Sequence, residues 1–326
     1  METIATETRT RYHRISKTIS GLLIVIGIAV SWVGSTQFAT STYSADFFAP
    51  SFNVWFSTLW ISVCYPVFII GALVFNRESR SREGVLNLHR NCETIYGPEG
   101  LNIRSFFKLS GSFCICWAVT NYLYVYALGL IAPADVTALF SSNNAFIYIL
   151  SWVWLHERLQ LLPARGLSVL LSTGGIVLIS YAEGLKGTTA AGTIMSIGSA
   201  IGAAIYKVLF KRFIGDATYG QVSLFLSVLS FFNLLFLWPF FIIFYFTGFE
   251  IIDWYNIPWD YLCGSAALSF VFNFLINFGI ALTFPLFIAL GTVIGIPLNA
   301  VVDYIFRNLP FGWLKINDTL LIIGGL

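Results

Sequence analysis

The chain has 326 residues, of which 57% are hydrophobic, 17% aromatic and only 10% charged, with a mean hydropathy of +0.79. Soluble domains carry charge on about a quarter of their residues, so a soluble globular protein is excluded and a polytopic membrane protein is indicated. A net charge of +2 gives no electrostatic support for a nucleic-acid partner.

Four basic residues, Arg9, Arg11, Arg14 and Lys17, precede an apolar core from Ile19 to Val33. That pattern is shared by signal peptides, but the following WVGSTQFA keeps the segment near the roughly 20 residues a span needs. A retained first helix over Ser20 to Phe38 is therefore expected, followed by a loop containing Asp46 and a second helix over Phe52 to Phe75. A polar insert from Asn76 to Lys108 holds Arg77, Arg80, Arg82, Arg90, Arg104 and Lys108. Three more apolar runs, Leu109 to Leu130, Val136 to Leu155 and Leu161 to Tyr181, complete a first set of five.

A second set is predicted over Ala190 to Phe213, Tyr219 to Tyr245, Tyr261 to Leu282, Pro285 to Phe306 and Leu314 onward. From Leu314 to Leu326 there is room for roughly 20 Å of helix against about 30 Å of hydrocarbon. The expectation is that the chain is truncated or its last helix incomplete. Five helices is an odd number, so a second set of five starts on the opposite side of the membrane and any structural repeat is inverted. The expected fold is all-α: ten transmembrane helices as two inverted five-helix repeats, residues 1–181 with the N-terminal tail and residues 182–326. The segments ALFSSNNAFIYIL from Ala138 and ALGTVIGIPLNAV from Ala289 carry a weak trace of that repeat.

A cytosolic N-terminus places all but Lys186, Arg307 and Lys315 of the 18 Lys and Arg residues on the cytosolic side. The opposite loops carry Asp46, Glu183, Glu250, Asp253 and Asp260. Cys64, Cys114, Cys116 and Cys263 sit in apolar runs and Cys92 in the insert, so no disulfide framework is implied. The three histidines are scattered, which argues against a metal site. No nucleophile elbow, HExxH or phosphate-cradling loop is present, and neither an enzyme nor a cofactor is expected.

The most informative stretch is Asp135 to Arg158, which sets Ser141, Ser142, Asn143 and Asn144 inside an apolar run. Two amides and two hydroxyls in hydrocarbon need partners in neighbouring helices or in a wet cavity, so this helix is a candidate wall of a pathway. Asn143 and Asn144 lie about 100° apart on a helix and cannot face one neighbour. Asp135 reads either as a helix N-cap or as a charge at the far mouth of the pathway. Lys207 lies after a GxxxG formed by Gly198 and Gly202, and is either a pathway lysine or a side chain snorkelling to the headgroups. Tyr122 and Tyr126 share a helix face, as do Asn273 and Asn277. Asp303 and Arg307 are spaced to pair locally. Pro285 and Pro297, with Gly291 and Gly295, make the ninth predicted helix prone to kinking.

WVGSTQFA from Trp32, the Asp135 to Arg158 run, GSAIGAAIYKVLFKR from Gly198, GDATYGQVSLF from Gly215 and LINFGIALTFPLFIALGTVIGIPLNAVVDY from Leu275 together resemble the solute carrier 35 family, subfamily F. The likeness is nearest to its thiamine-transporter-like branch. It implies the drug/metabolite transporter fold, a central cavity reached alternately from either side, and thiamine or a related heteroaromatic solute as cargo. The rival expectations are a nucleotide-sugar exchanger, which would want more cavity cations than Lys207, and a non-transporting receptor or scaffold. On the first expectation Asn143, Asn144, Tyr122 and Tyr126, with Ser141 and Ser142, contact solute. Asp135 attracts it and Lys207 pairs with a carboxylate in one state. The expected partners are the lipid bilayer and a small-molecule solute, with a homodimer as the protein assembly considered and the plasma membrane or Golgi/endomembrane as location.

Overall fold

The computed structural model describes residues 2–76, 80–155, 187–215, 217–282 and 285–308, with side chains from residue 21 onward except 155, 277–290 and 293. The predicted helices over Leu161 to Tyr181 and from Leu314 onward, and the side chain of Asn277, lie outside the described residues.

The first helix, α1, runs Glu2–Ser41. Helix α2 comprises Pro50–Trp60, a 3-10 turn Ile61–Val63, and Cys64–Phe75. The polar insert is no simple loop: it folds into α3, Arg82–Glu93, where the Ser81 hydroxyl caps the helix by accepting the Gly84 N–H at 3.0 Å. Cys92 on α3 is buried because it packs against Gly220, in the first turn of the later helix Tyr219–Phe236. Helix α4 spans Ile103–Leu128 and so starts six residues before the predicted Leu109. Its opening turns include a π segment, Phe106–Gly111, whose Phe106 ring meets Phe232 of the helix Tyr219–Phe236 at a 5.3 Å centroid distance.

Helix α5 is broken. Pro133–Ser141 and Asn143–Leu155 are separated at Ser142. Helix α6 runs Thr188–Phe213, α7 comprises Tyr219–Phe236 and Trp238–Phe246, α8 runs Trp259–Leu282 and α9 runs Pro285–Arg307. The break in α7 falls one residue before Trp238-Pro239, where a proline supplies no N–H to continue the ladder. Among the described residues, α1, α2, α4, α5, α6, α7 and α8 are long and apolar enough to cross a membrane. Leu22, Leu23, Ile26 and Val30 on α1 and Phe240, Ile243 and Phe246 on α7 are exposed, as lipid-facing side chains are. This is a multi-pass integral membrane protein.

Helix α1 packs along α8 and α9, and α6 packs along α4 and α5; α2 lies against α7, and α5 against α9. These approaches use glycine. A Cβ on Gly202 of α6 would lie 2.4 Å from Thr120 Oγ1 of α4, and one on Gly291 of α9 would lie 2.9 Å from Ile28 of α1. Gly291 and Gly295 therefore admit α1, a packing role that the kinking expectation did not include; Pro297 sits inside a helix assigned without interruption from Pro285 to Arg307.

Two short strands tie the loops at one end of the bundle. In β1, Phe47–Phe48, and β2, Ile251–Ile252, Phe47 pairs with Ile252 and Phe48 with Ile251 in antiparallel register. That end, called here the strand end, also holds the C-termini of α1, α4 and α9. The opposite end holds α3 and the α6–α7 turn.

Candidate functional site

A cavity of about 1030 Å³ lies between the helices. Among the described residues, its aromatic walls are Trp32, Trp117, Tyr124, Phe140, Tyr206 and Phe272, and its polar groups include Thr36, Asn53, Ser57, Asn121, Asn143, Asn144, Lys207 and Asn273. Trp32 is the hub of one wall, with ring centroids 6.2 Å from Phe140 and 5.8 Å from Phe272, while Tyr124 stands 5.1 Å from Phe140. The cavity extends to Gly215, Ala217 and the exposed Thr218 in the α6–α7 turn.

At the strand end the described residues close it. Two buried apolar clusters lie there, one built on Leu128, Val136, Leu139 and Ile296, the other on Phe47, Phe52, Phe241 and Leu262. Beside them a polar network joins α1, α5 and α9. Gln37 Nε2 donates to Asp303 Oδ1 at 2.7 Å and to Asn299 Oδ1 at 3.1 Å, and Asn299 Nδ2 donates to Thr137 Oγ1 at 2.9 Å. Arg307 Nε donates to Gln37 Oε1 at 3.0 Å and lies 3.7 Å from Asp303 Oδ1. The expected local pair of Asp303 and Arg307 is thus present, but it is one edge of an interhelical network.

Asp303 also explains the start of α5. Ala132 supplies no side-chain cap there, and Asp303 Oδ2 accepts the Ala134 N–H at 2.9 Å from across the bundle. Asp135 therefore does not serve as the N-cap. It sits inside the first turn, 3% exposed, where its charge lies near the positive end of the helix, and it is not in the cavity lining.

The break at Ser142 gives the polar cluster a structural task. Around it the backbone bonds change step: the Ser142 N–H donates to Leu139 O at 3.2 Å and the Ala145 N–H to Ser142 O at 3.0 Å. Three successive side chains then serve three successive carbonyls. Ser141 Oγ donates to Ala138 O at 2.6 Å, Ser142 Oγ to Leu139 O at 2.6 Å, and Asn143 Nδ2 to Phe140 O at 2.8 Å. In hydrocarbon no water could satisfy such carbonyls, so a broken span needs its own donors.

With its Nδ2 engaged, Asn143 turns Oδ1 toward α6, where Lys207 Nζ donates to it at 2.9 Å. Helical side chains lean toward the N-terminus of their helix, so the Lys207 stem runs away from the near membrane surface and into the bundle. This is the opposite of snorkelling.

The structure thus brings Ser141, Asn143, Asn144 and Lys207 together on the cavity. Ser142 is fully buried and, like Asp135, absent from the lining. Tyr122 and Tyr126 are likewise elsewhere: their rings lie 5.7 Å apart and inclined by 46° near the strand end, Tyr122 beside Phe244 and Tyr126 edge-on to Phe48. There they neighbour Glu250, a 2% exposed carboxylate in the α7–α8 loop whose Oε1 accepts the Ser51 N–H at 3.0 Å and whose Oε2 accepts the Ser51 hydroxyl. Burial raises the Glu250 pKa above its usual range, and the two Ser51 bonds oppose the rise.

Several site residues escaped the sequence reading. Asn53, Ser57 and Thr58 on α2 and Asn121 on α4 line the cavity, and Gln37, Thr137 and Asn299 build the network. Single polar residues within long apolar runs were the available signal. The Asn53 side chain, 1% exposed, has no bond from its Nδ2.

Membrane-crossing helices around an aromatic and polar cavity define the class: a multi-pass membrane protein with a solute-sized central cavity. No family model matches the chain. Solute carrier family 35 member F3 of Mus musculus is 37% identical over 313 residues, 96% of this chain and 73% of the relative; the Homo sapiens protein of that name is also 37% identical. Solute carrier family 35 member F4 of Mus musculus is 40% identical over 314 residues, 95% of this chain and 63% of the relative. A solved crystal structure sharing 16% identity superposes with a TM-score of 0.53 over 94% of each chain, a likeness of fold alone. The chain belongs to the solute carrier 35 family, subfamily F.

Proposed function

We propose that the chain is a secondary carrier that moves a small heteroaromatic metabolite by alternating access, with the cavity as the solute site. The carrying observation is the cavity itself, which reaches one end of the bundle and is closed at the other, among the described residues, by the strand pair and the Asp303 network. Aromatic faces suit a flat ring, and amides set its orientation.

The ten-helix arrangement as two inverted repeats is part of this reading. Its support is the packing pattern: α1 against α8 and α9 mirrors α6 against α4 and α5, as an inverted duplication requires. The basic α3 region and the N-terminus are placed in the cytosol, so the structure corresponds to a cytosol-facing state. Thiamine serves as the reference solute because of its heteroaromatic rings; its fixed positive charge would face the Lys207 ammonium. A nucleotide diphosphate would meet one lysine where charge neutralisation asks for more.

The test is uptake of labelled thiamine and a panel of heteroaromatic solutes into vesicles holding purified protein, compared with Ala203→Trp, which fills the cavity wall. Saturable uptake that the substitution abolishes is expected. A correctly folded protein that moves no panel member, with a cellular role that Ala203→Trp leaves intact, would instead support a receptor or scaffold.

A further inference from the structure

Lys207 is the sole charged side chain in the cavity lining among the described residues. Its ammonium has three donors, and the bond it makes, to Asn143 Oδ1, is to a neutral acceptor. The ion pairs among the described residues are His89 with Glu93 and Arg307 with Asp303, so none of the described carboxylates pairs with Lys207. The Asn143 amide is held with its oxygen toward the lysine, because Nδ2 is tied to Phe140 O. One turn away, the Phe140 ring belongs to the aromatic wall with Trp32 and Tyr124. A positive charge, a fixed acceptor that can yield it, and an aromatic face therefore converge at the middle of the bundle.

Resting on the carrier reading above, we propose that the solute is a monoanion, a flat aromatic acid whose carboxylate takes the Lys207 ammonium while its ring lies against the Phe140 wall. An aromatic cation gains from the ring faces but is repelled by the like charge of the ammonium. A neutral ring gains the faces and forgoes the charge-assisted bond. A dianion leaves one charge uncompensated, since no second cation lines the site among the described residues. The anion displaces none of the described carboxylates from Lys207; it either shares the ammonium with Asn143 or replaces that single neutral bond.

Nicotinate, nicotinamide and 1-methylnicotinamide, quaternised at the ring nitrogen, carry charges of −1, 0 and +1 on one ring system and separate these cases. Their binding to the purified full chain is measured by thermal shift at neutral pH, where a ligand of the native state raises the apparent stability. Nicotinate is expected to bind on the order of ten- to a hundredfold more tightly than nicotinamide, the advantage of a hydrogen bond to a charged group. Lys207→Gln should remove that difference, and so should Asn143→Asp, which keeps the lysine but supplies it with a carboxylate. Lys207→Arg should retain it. The proposal is overturned if nicotinate gives no shift, if nicotinamide or the cation binds equally well or better, or if the nicotinate preference survives both Lys207→Gln and Asn143→Asp. Nicotinate that binds through Lys207 but is not moved by reconstituted protein would uphold the charge assignment and count against the carrier reading.

Discussion

Asp303 is the residue on which the closure of the strand end can be tested most directly. Its buried carboxylate accepts Gln37 Nε2 at 2.7 Å and the Ala134 N–H at 2.9 Å, and stands 3.7 Å from an Arg307 guanidinium that is 27% exposed. Asp303→Ala removes both bonds and one counter-charge. Each hydrogen bond to an ionised group contributes about 1.5–3 kcal/mol, and breaking one side of a buried pair costs about 3–5 kcal/mol. These figures describe overlapping losses, so the closed end should weaken by about 3–5 kcal/mol in total. If α1, α5 and α9 separate there without global unfolding, a loss of about 3 kcal/mol multiplies the open population roughly 150-fold. The assay is modification of a thiol introduced by Ala134→Cys, with Cys116 and Cys263 replaced by serine, using a membrane-impermeant maleimide on the strand-end side. Asp303→Ala should speed labelling and lower Tm. Asp303→Asn should do so less, because it keeps the shape and one acceptor. Unchanged labelling and unchanged Tm in both variants would show that the network does not hold this end shut.

Two further outcomes follow from the same geometry. The Glu250 pKa is raised in the folded protein above its ordinary 4.5, so the native state binds the proton more tightly than an opened or unfolded one. Glu250 therefore contributes stability below about pH 4.5 that is lost as pH rises through the folded pKa. Measured against Glu250→Gln, the protein should show a Tm that falls more steeply with rising pH in that window; parallel profiles would contradict the assignment. On α6, Gly202→Ala would drive a Cβ to 2.4 Å from Thr120 Oγ1, whereas Gly198→Ala meets only Leu123 Cδ1 at 3.2 Å. Overpacking typically costs about 1–3 kcal/mol, so Gly202→Ala should lower Tm clearly while Gly198→Ala stays near neutral. Equal Tm values for the two variants would argue that α4 and α6 are not in close contact.

The spans were legible in the chain because their signal is local: a bilayer requires a long apolar run wherever the chain crosses, whatever the neighbours are. The seven membrane-crossing helices found among the described residues fall on predicted runs, with end shifts of a few residues and a larger one at Ile103, where the start of α4 is set by aromatic packing on α7. The unusual Ser-Ser-Asn-Asn string and the intramembrane Lys207 also stood out, because each polar group in hydrocarbon needs a partner. Which partner it takes is a tertiary matter. Ser141, Ser142 and Asn143 turned out to serve the carbonyls of their own broken helix, and Lys207 took Asn143 from a helix 64 residues away in sequence. Tyr122 and Tyr126 share a face as their spacing required, but only packing decided that the face looks toward Phe48, Phe244 and the loop holding Glu250 instead of the cavity. Asp135 and Asp303 show the same division: a helix start was readable, expected at Val136 and found at Pro133, yet the Ala134 N–H is satisfied from α9 and not by the nearby aspartate. Composition and periodicity determined that this chain lives in a membrane and where it crosses. The sign and shape of its cavity depended on which helices meet, because a side chain's role is set by atoms that sequence distance does not reveal.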